Sequence, residues 1–221
     1  MKETVIISLG GSIIVQDRIN TDFLISFKKK ILSSDKRFII VVGGGKTCRI
    51  YQDAAKAVST VSAEDLDWIG IAATSLNAHL LRSVFGNAAY EQIVTNPTKK
   101  ISTPKKIIIS AGWKPGHSTD YGAVCLAKTY GAKTIINMTN VDYLYDKDPK
   151  EKSAKKIERA DWKTLQTLVG TEWQPGLNRP FDPIATTLAG KLKLKLIVIG
   201  SDVKNLENVL QNKSFKGTVI S

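Results

Sequence analysis

Arg37-Phe38-Ile39-Ile40-Val41-Val42-Gly43-Gly44-Gly45-Lys46 is the stretch that decides the fold. Five apolar residues, 38–42, run into three glycines and then into a basic stretch whose apolar residues recur at helical spacing. A short unbroken apolar run of this kind suits a strand covered on both faces. Glycines between such a strand and a helix leave backbone N–H groups free to face an anion at the helix N-terminus. A second turn, Leu9-Gly10-Gly11-Ser12, follows the apolar residues 5–7. Two glycine turns after two strands point to phosphate handling. Neither has the spacing of a P-loop or of the dinucleotide fingerprint, and a plain structural turn explains a triple glycine equally well.

Working outward, the run at 5–9 precedes a helical candidate at 21–31, and 38–42 precedes two more at 46–58 and 64–85. Residues 107–110, 135–138 and 196–199 are short runs rich in isoleucine and valine. Short apolar strands separated by helices predict an α/β fold with a central, mainly parallel sheet sandwiched by helices. Residues 112–116 and 178–183 read as turns, and the polar stretch 146–156 as a solvated loop. No repeat or low-complexity segment interrupts the chain, which reads as one domain over 1–221. Its seam between an N-terminal lobe, about 1–130, and a C-terminal lobe, about 131–221, falls just before the strand at Ile135.

A chain of 221 residues, 43% apolar and 24% charged, has the composition of a soluble globular protein. No apolar run approaches the ~18 residues of a membrane span, and Met1-Lys2-Glu3-Thr4 does not open a signal peptide. Cytoplasmic residence is the expectation. Cys48 and Cys125 form no C-x-x-C pair and read as small buried apolar residues. His79 and His117 lack partners at metal-ligand spacing, so no structural metal is expected. The net charge of +12 raises the question of nucleic acid, but the basic residues are 26 lysines and six arginines spread along the chain. Base-reading surfaces favour arginine and interleave aromatics. A solvated lysine-rich surface that attracts small anions is the expected reading, with no nucleic-acid or membrane partner.

Three further segments carry polar chemistry. In Gly112-Trp113-Lys114-Pro115-Gly116-His117-Ser118-Thr119-Asp120, Ser118 and Thr119 can cap a following helix, and their hydroxyls can equally contact a phosphate. In the stretch from Asn137 to Pro149, a strand ends in a polar turn with aromatic rings and Asp148-Pro149. It could clasp a base and ribose, or be an ordinary hairpin. In Phe181-Asp182-Pro183 an acidic residue stands where a helix would start, also explicable as an N-cap.

Read together, these segments resemble the amino acid kinase family, and within it the uridylate (UMP) kinases of archaeal type. The carriers are Gly10-Gly11-Ser12, Val42-Gly43-Gly44-Gly45-Lys46 with Arg49, Asp67-Trp68-Ile69-Gly70-Ile71 and Thr74 to Ala78. They continue with Pro115 to Asp120, Thr139-Asn140-Val141-Asp142 with Tyr145 and Asp148-Pro149, and Asp182-Pro183. The resemblance runs nearly end to end, and it implies a γ-phosphoryl transfer from ATP to UMP, giving UDP, with Mg²⁺ as a helper. It implies that Gly44, Asp67 and the loop Trp113, Lys114, Pro115, Gly116, His117, Ser118 and Thr119 bind UMP, with Asp67 on the ribose hydroxyls. It places Gly10, Gly11, Ser12, Gly45 and Arg49 on the ATP phosphates, and Thr139, Asn140, Tyr145 and Asp148 on the adenosine side. Asp120, Asp182 and Lys46 become the residues of the reacting centre. The family likeness also implies a homo-oligomer, commonly a hexamer, joined through the N-terminal lobe, where the apolar stretch 69–81 could serve.

The chain departs from the family pattern at two positions. Many members carry a lysine shortly before the first glycine turn and another shortly after the late Asp-Pro; here those positions are Ser8 and Thr187. Such cations stabilise the transferring phosphoryl group by several kcal/mol, on the order of 10³-fold or more in rate. Lys46, Arg49, Lys114 or Mg²⁺ are the available substitutes. Two alternatives follow: a catalytically weak nucleotide sensor of the same fold, or a sibling such as isopentenyl phosphate kinase. The latter places histidine in the glycine loop, and 43–49 contains none.

Overall fold

A computed structural model describes residues 3–149, 151–172 and 181–221. In chain order the first half comprises β1 (Thr4–Leu9), α1 (Gly11–Ile14), α2 (Thr21–Ser33), β2 (Arg37–Val42), α3 (Gly45–Val58), α4 (Ala63–Phe85) and β3 (Ile107–Ser110). Then come α5 (Thr119–Tyr130), β4 (Thr134–Met138), β5 (Leu144–Tyr145), β6 (Lys156–Ile157) and β7 (Arg159–Ala160). The remainder is α6 (Trp162–Val169), α7 (Pro183–Lys191), β8 (Lys195–Ile199), α8 (Val203–Leu210) and β9 (Thr218–Ile220).

Seven strands form one sheet in the order β3-β2-β1-β4-β8-β9-β7. The first five run parallel, with β1 flanked by β2 (Ile6 opposite Ile39) and β4 (Ile6 opposite Ile135). Within this sheet, among the described residues, only β9 and β8 meet antiparallel. The five apolar runs in the sequence are these five strands, and helices cover both faces as expected. Successive side chains of a strand point to opposite faces, and each strand accordingly divides between two cores. Ile7, Leu9, Ile40, Val42, Ile109, Met138 and Ile199 pack with α1, α2, α4 and α8. Ile6, Ile39, Val41, Ile108, Ile135 and Val198 pack with α5, α6 and α7. Near-continuous apolar strands are therefore a consequence of double coverage.

Local signals set the helix starts. Asn20 accepts from the Phe23 N–H at 3.1 Å, Ser62 from Asp65 at 3.0 Å, and Asp161 from Thr164 at 2.7 Å. The stretch 112–116 lies outside helix and strand, as expected. Residues 178–180 of the second expected turn lie outside the described residues. The polar loop 146–156 is the tip of a β5–β6 hairpin, and its described residues are mostly exposed. Among the described residues no helix is long and apolar enough to cross a membrane.

Candidate active site

From β1 the chain moves outward through β2 and β3, then returns to lay β4 and β8 on the other side of β1. Sheets of this kind open a crevice at the carboxyl ends of the strands where the winding direction switches. Here that point is the end of β1, and Gly10-Gly11-Ser12 occupies it.

The two glycine turns meet there backbone to backbone. A Cβ on Gly11 would fall 2.1 Å from the Gly45 nitrogen, and one on Gly43 would fall 2.6 Å from the Gly11 nitrogen. Gly45 has φ +67°, a conformation side chains disfavour. The Gly43 N–H donates to Leu9 O at 2.9 Å, and the Gly10 N–H to Met138 O at 2.9 Å. The Asn77 amide donates to the carbonyls of Gly43 at 2.8 Å and Gly44 at 3.1 Å. With those carbonyls tied down, α1 and α3 both begin without a side-chain cap. The Ile13 N–H is taken by Gly10 O at 3.0 Å and the Lys46 N–H by Val15 O at 3.2 Å, so among the described residues the first amides open to an anion are those of Gly11, Ser12 and Gly45.

On the β2–β3 side lies a cavity of about 140 Å³, its wall including Gly44, Cys48, Asp67, Gly112 and Thr119. The Gly116 N–H donates to Asp67 Oδ2 at 2.7 Å, tying the 112–118 loop to α4. The Gly112 N–H donates to Thr74 Oγ1 at 2.8 Å, a second tie between the same elements. His117 stacks edge-on between Trp113 (5.1 Å) and Tyr121 (4.7 Å), and Lys114 Nζ lies 4.4 Å from the Trp113 ring centre. Ser118 caps α5, accepting from the Tyr121 N–H at 3.0 Å. Burial pushes the Cys48 thiol above its ordinary range, so it stays protonated near neutrality.

Behind the loops, the Ser8 hydroxyl donates to Asp120 Oδ1 at 2.8 Å. The Asp182 N–H donates to Asp120 Oδ2 at 3.2 Å, and Asp182 in turn caps α7 through the Ala185 N–H, with Pro183 at the first position. Both carboxyls are pushed up mainly by burial, Asp120 to about 7 with the Asp182 charge adding to it. Hydrogen bonds from Ser118 and from the Ala185 and Ile184 N–H groups, with nearby His117, oppose the rise at Asp182. Neither carboxylate forms an ion pair among the described residues. At the second lysine position of the family, Thr187 donates to Gln166 Oε1 at 2.7 Å.

The profile of the amino acid kinase family matches residues 3–200. This chain belongs to the amino acid kinase family. It is 37% identical to a uridylate kinase of Thermoplasma volcanium over 219 residues, covering 96% of this chain and 95% of that one. It is 36% identical to a uridylate kinase of Methanospirillum hungatei, over 99% and 94% of the two chains. The crystal structure of uridylate kinase from Archaeoglobus fulgidus superposes with a TM-score of 0.83 at 34% identity, covering all of both chains.

The other residues picked out in this amino acid kinase sit around the same edge of the sheet. Lys46 pairs with Asp17 at the surface, and Arg49 is exposed on α3. The Thr139 hydroxyl lies 3.2 Å from Asn140 Oδ1, just past β4. Tyr145 is half-buried on the β5–β6 hairpin and Asp148 exposed at its tip. Ser12 and Pro115 lie in the turns already described. Sequence reading gave no role to Gln52 or Tyr121, and did not assign Thr74 and Asn77 to the loops they hold. Helical spacing (74, 77, 78, 81) marks Asn77 as an interior polar residue; nothing local names its partners.

Proposed function

We propose that this chain is an ATP:UMP phosphotransferase, moving the γ-phosphoryl group of ATP to UMP and releasing UDP for pyrimidine nucleotide synthesis in the cytoplasm. The observation that carries the reading is the interlock of Gly11 with Gly43 and Gly45, which brings the amide-rich ends of two turns to one point. An acceptor phosphate at Gly44 and a donor phosphate at Gly10, Gly11, Ser12 and Gly45 would then be neighbours. Transfer is direct and in line, with no phospho-enzyme, because positioning and charge stabilisation suffice for this chemistry.

The acceptor occupies the cavity of the N-terminal lobe, about residues 1–130. Asp67 accepts from ribose hydroxyls with its free oxygen, and residues 113–119 close over the nucleotide. ATP lies on the C-terminal lobe, about 131–221, with Thr139, Asn140, Tyr145 and Asp148 at the adenosine and Arg49 reaching for phosphate. Among the described residues Lys46 pairs only with the exposed Asp17, so its ammonium can turn to the phosphates.

Two buried carboxylates without a cationic partner among the described residues fit Mg²⁺ arriving on the nucleotide, which needs only one or two protein carboxylates. Asp120 and Asp182 are the residues that would hold it. Bound there, it would supply charge neutralisation at the phosphoryl oxygens. The absence of lysine at Ser8 and Thr187 makes this neutralisation more important in this chain.

Ile50, Tyr51, Trp68 and Leu76 are exposed on α3 and α4, which supports a homo-oligomer joined through this pair of helices. A coupled assay of UDP formation tests the function. Robust turnover with UMP and ATP is expected; nucleotide binding without turnover would favour the sensor reading that Ser8 and Thr187 suggest.

A further inference from the structure

Helix α3 buries a glutamine and exposes its larger apolar side chains. Gln52 is 5% exposed, while Ile50, Tyr51 and Val58 are 55%, 65% and 87% exposed. Burying an amide is costly unless its polar atoms find partners. Gln52 has one: its Nε2 donates to Leu66 O at 2.8 Å, in the first turn of α4. That uses one of two N–H groups and neither lone pair of the carbonyl. The remaining groups have no partner among the described residues, yet the carbonyl oxygen is not sealed off, because Gln52 forms part of the wall of the acceptor cavity.

The place along that wall is specific. Gly70 leaves a gap in α4, and a Cβ there would lie 3.6 Å from Gln52 Nε2 and 3.5 Å from Cys48 Sγ. Gly70 is one helical turn after Asp67, so the bare floor, the Gln52 amide and the Asp67 carboxylate share one end of the cavity. Gly44, beside the amides that would hold the phosphate, lies about two helical turns back along α3 from Gln52, with Cys48 between them on the cavity wall. Asp67 supplies acceptors only, and one of its oxygens is already taken by Gly116. A ribose cis-diol presents oxygens that also accept, and these need a donor. The free N–H of Gln52 is that donor, with its carbonyl as a second acceptor.

We propose that Gln52 is a specificity residue that reads the acceptor's ribose together with Asp67 and makes the site prefer a ribonucleotide to its 2′-deoxy counterpart. The inference rests on the acceptor being a nucleoside monophosphate in this cavity. Without a 2′-hydroxyl, the Gln52 amide stays buried and unpaired in the complex, which is the arrangement that rejects an analogue lacking one polar group.

The test is Gln52→Met, which keeps an unbranched side chain of similar length and removes both polar atoms. Steady-state kinetics with UMP and dUMP, at saturating ATP, are compared with wild type. The expected result is a kcat/KM for UMP lower by about tenfold, little change for dUMP, and an unchanged KM for ATP. The wild-type preference for UMP then collapses. Equal losses on both acceptors, or an unmoved UMP to dUMP ratio, would overturn the role of Gln52 and leave the acceptor assignment standing. A wild type that turns over neither nucleotide overturns the acceptor assignment, and the Gln52 inference with it. An altered ATP KM or a lowered melting temperature in the variant, with the ratio intact, marks a packing role and counts against the proposal.

Discussion

The Ser8 hydroxyl donates to the Asp120 carboxylate across 112 residues of sequence, at 2.8 Å. A neutral group therefore stands where a cation would hold that carboxylate ionised, and burial pushes Asp120 to about 7. Its ordinary value is 3.8, so the folded protein keeps this proton where the unfolded chain loses it. The resulting stabilisation is complete below about pH 4 and is lost as the pH rises through 7, a change of a few kcal/mol. Nucleotide-free protein should lose thermal stability between pH 4.5 and 8, and Asp120→Asn should flatten that slope. With the carboxylate as the working form, kcat/KM for wild type should climb as the pH passes through about 7. A slope identical in wild type and variant would remove Asp120 as its source.

Asp67 holds the 112–118 loop through Gly116 and offers its other oxygen to the acceptor. Asp67→Ala should raise the UMP KM by roughly 10- to 100-fold, the cost of hydrogen bonds to a charged group, while the ATP KM stays near normal. Asp67→Asn retains an oxygen for Gly116 and should recover part of the loss. Steady-state titration of each substrate distinguishes these, and an unchanged UMP KM in the alanine variant would cancel the assignment.

The glycine turns leave no room for a methyl group. Gly11→Ala and Gly43→Ala should each cost about 2 kcal/mol from forced backbone displacement, roughly 4–8 °C in melting temperature. Because both variants disturb one contact, the double variant should lose clearly less than the sum. Calorimetric melting of the three proteins measures this, and full additivity would mean the turns do not support one another.

The sheet was legible because each central strand is covered twice, which turns residues 5–9, 38–42 and 107–110 into apolar runs with glycine or polar ends. The short strands β5, β6, β7 and β9 were not, since two or three residues carry no period. Helix α8 did carry a signal, Asp202 followed by Val203, Leu206, Val209 and Leu210, and α1 is a single turn hidden behind its glycines. In the site, residue types and spacing named the turns, the 112–120 loop and the capping roles of Ser118 and Asp182, while Asp67 was named only by the family resemblance. The pairings Ser8–Asp120, Asn77–Gly43 and Thr74–Gly112 join residues 34 to 112 apart in the chain. Such pairings depend on how the strands are ordered in space. Gln52 escaped notice because a polar residue on an otherwise solvent-facing helix has nothing unusual about it until its burial is known.

Strand β1 belongs to both halves of the sheet at once, hydrogen-bonded along its length to β2 and through four residue pairs to β4. Any movement of the half that would take the acceptor against the half that would take ATP would therefore have to twist this hydrogen-bonded strand frame. The parts that hang from the sheet, the α3–α4 pair, the 112–118 loop and the β5–β6 hairpin, can adjust to the nucleotides without breaking its ladders. With the proposed phosphate turns both anchored to β1 and its neighbours, the strand frame would set the distance between donor and acceptor phosphates.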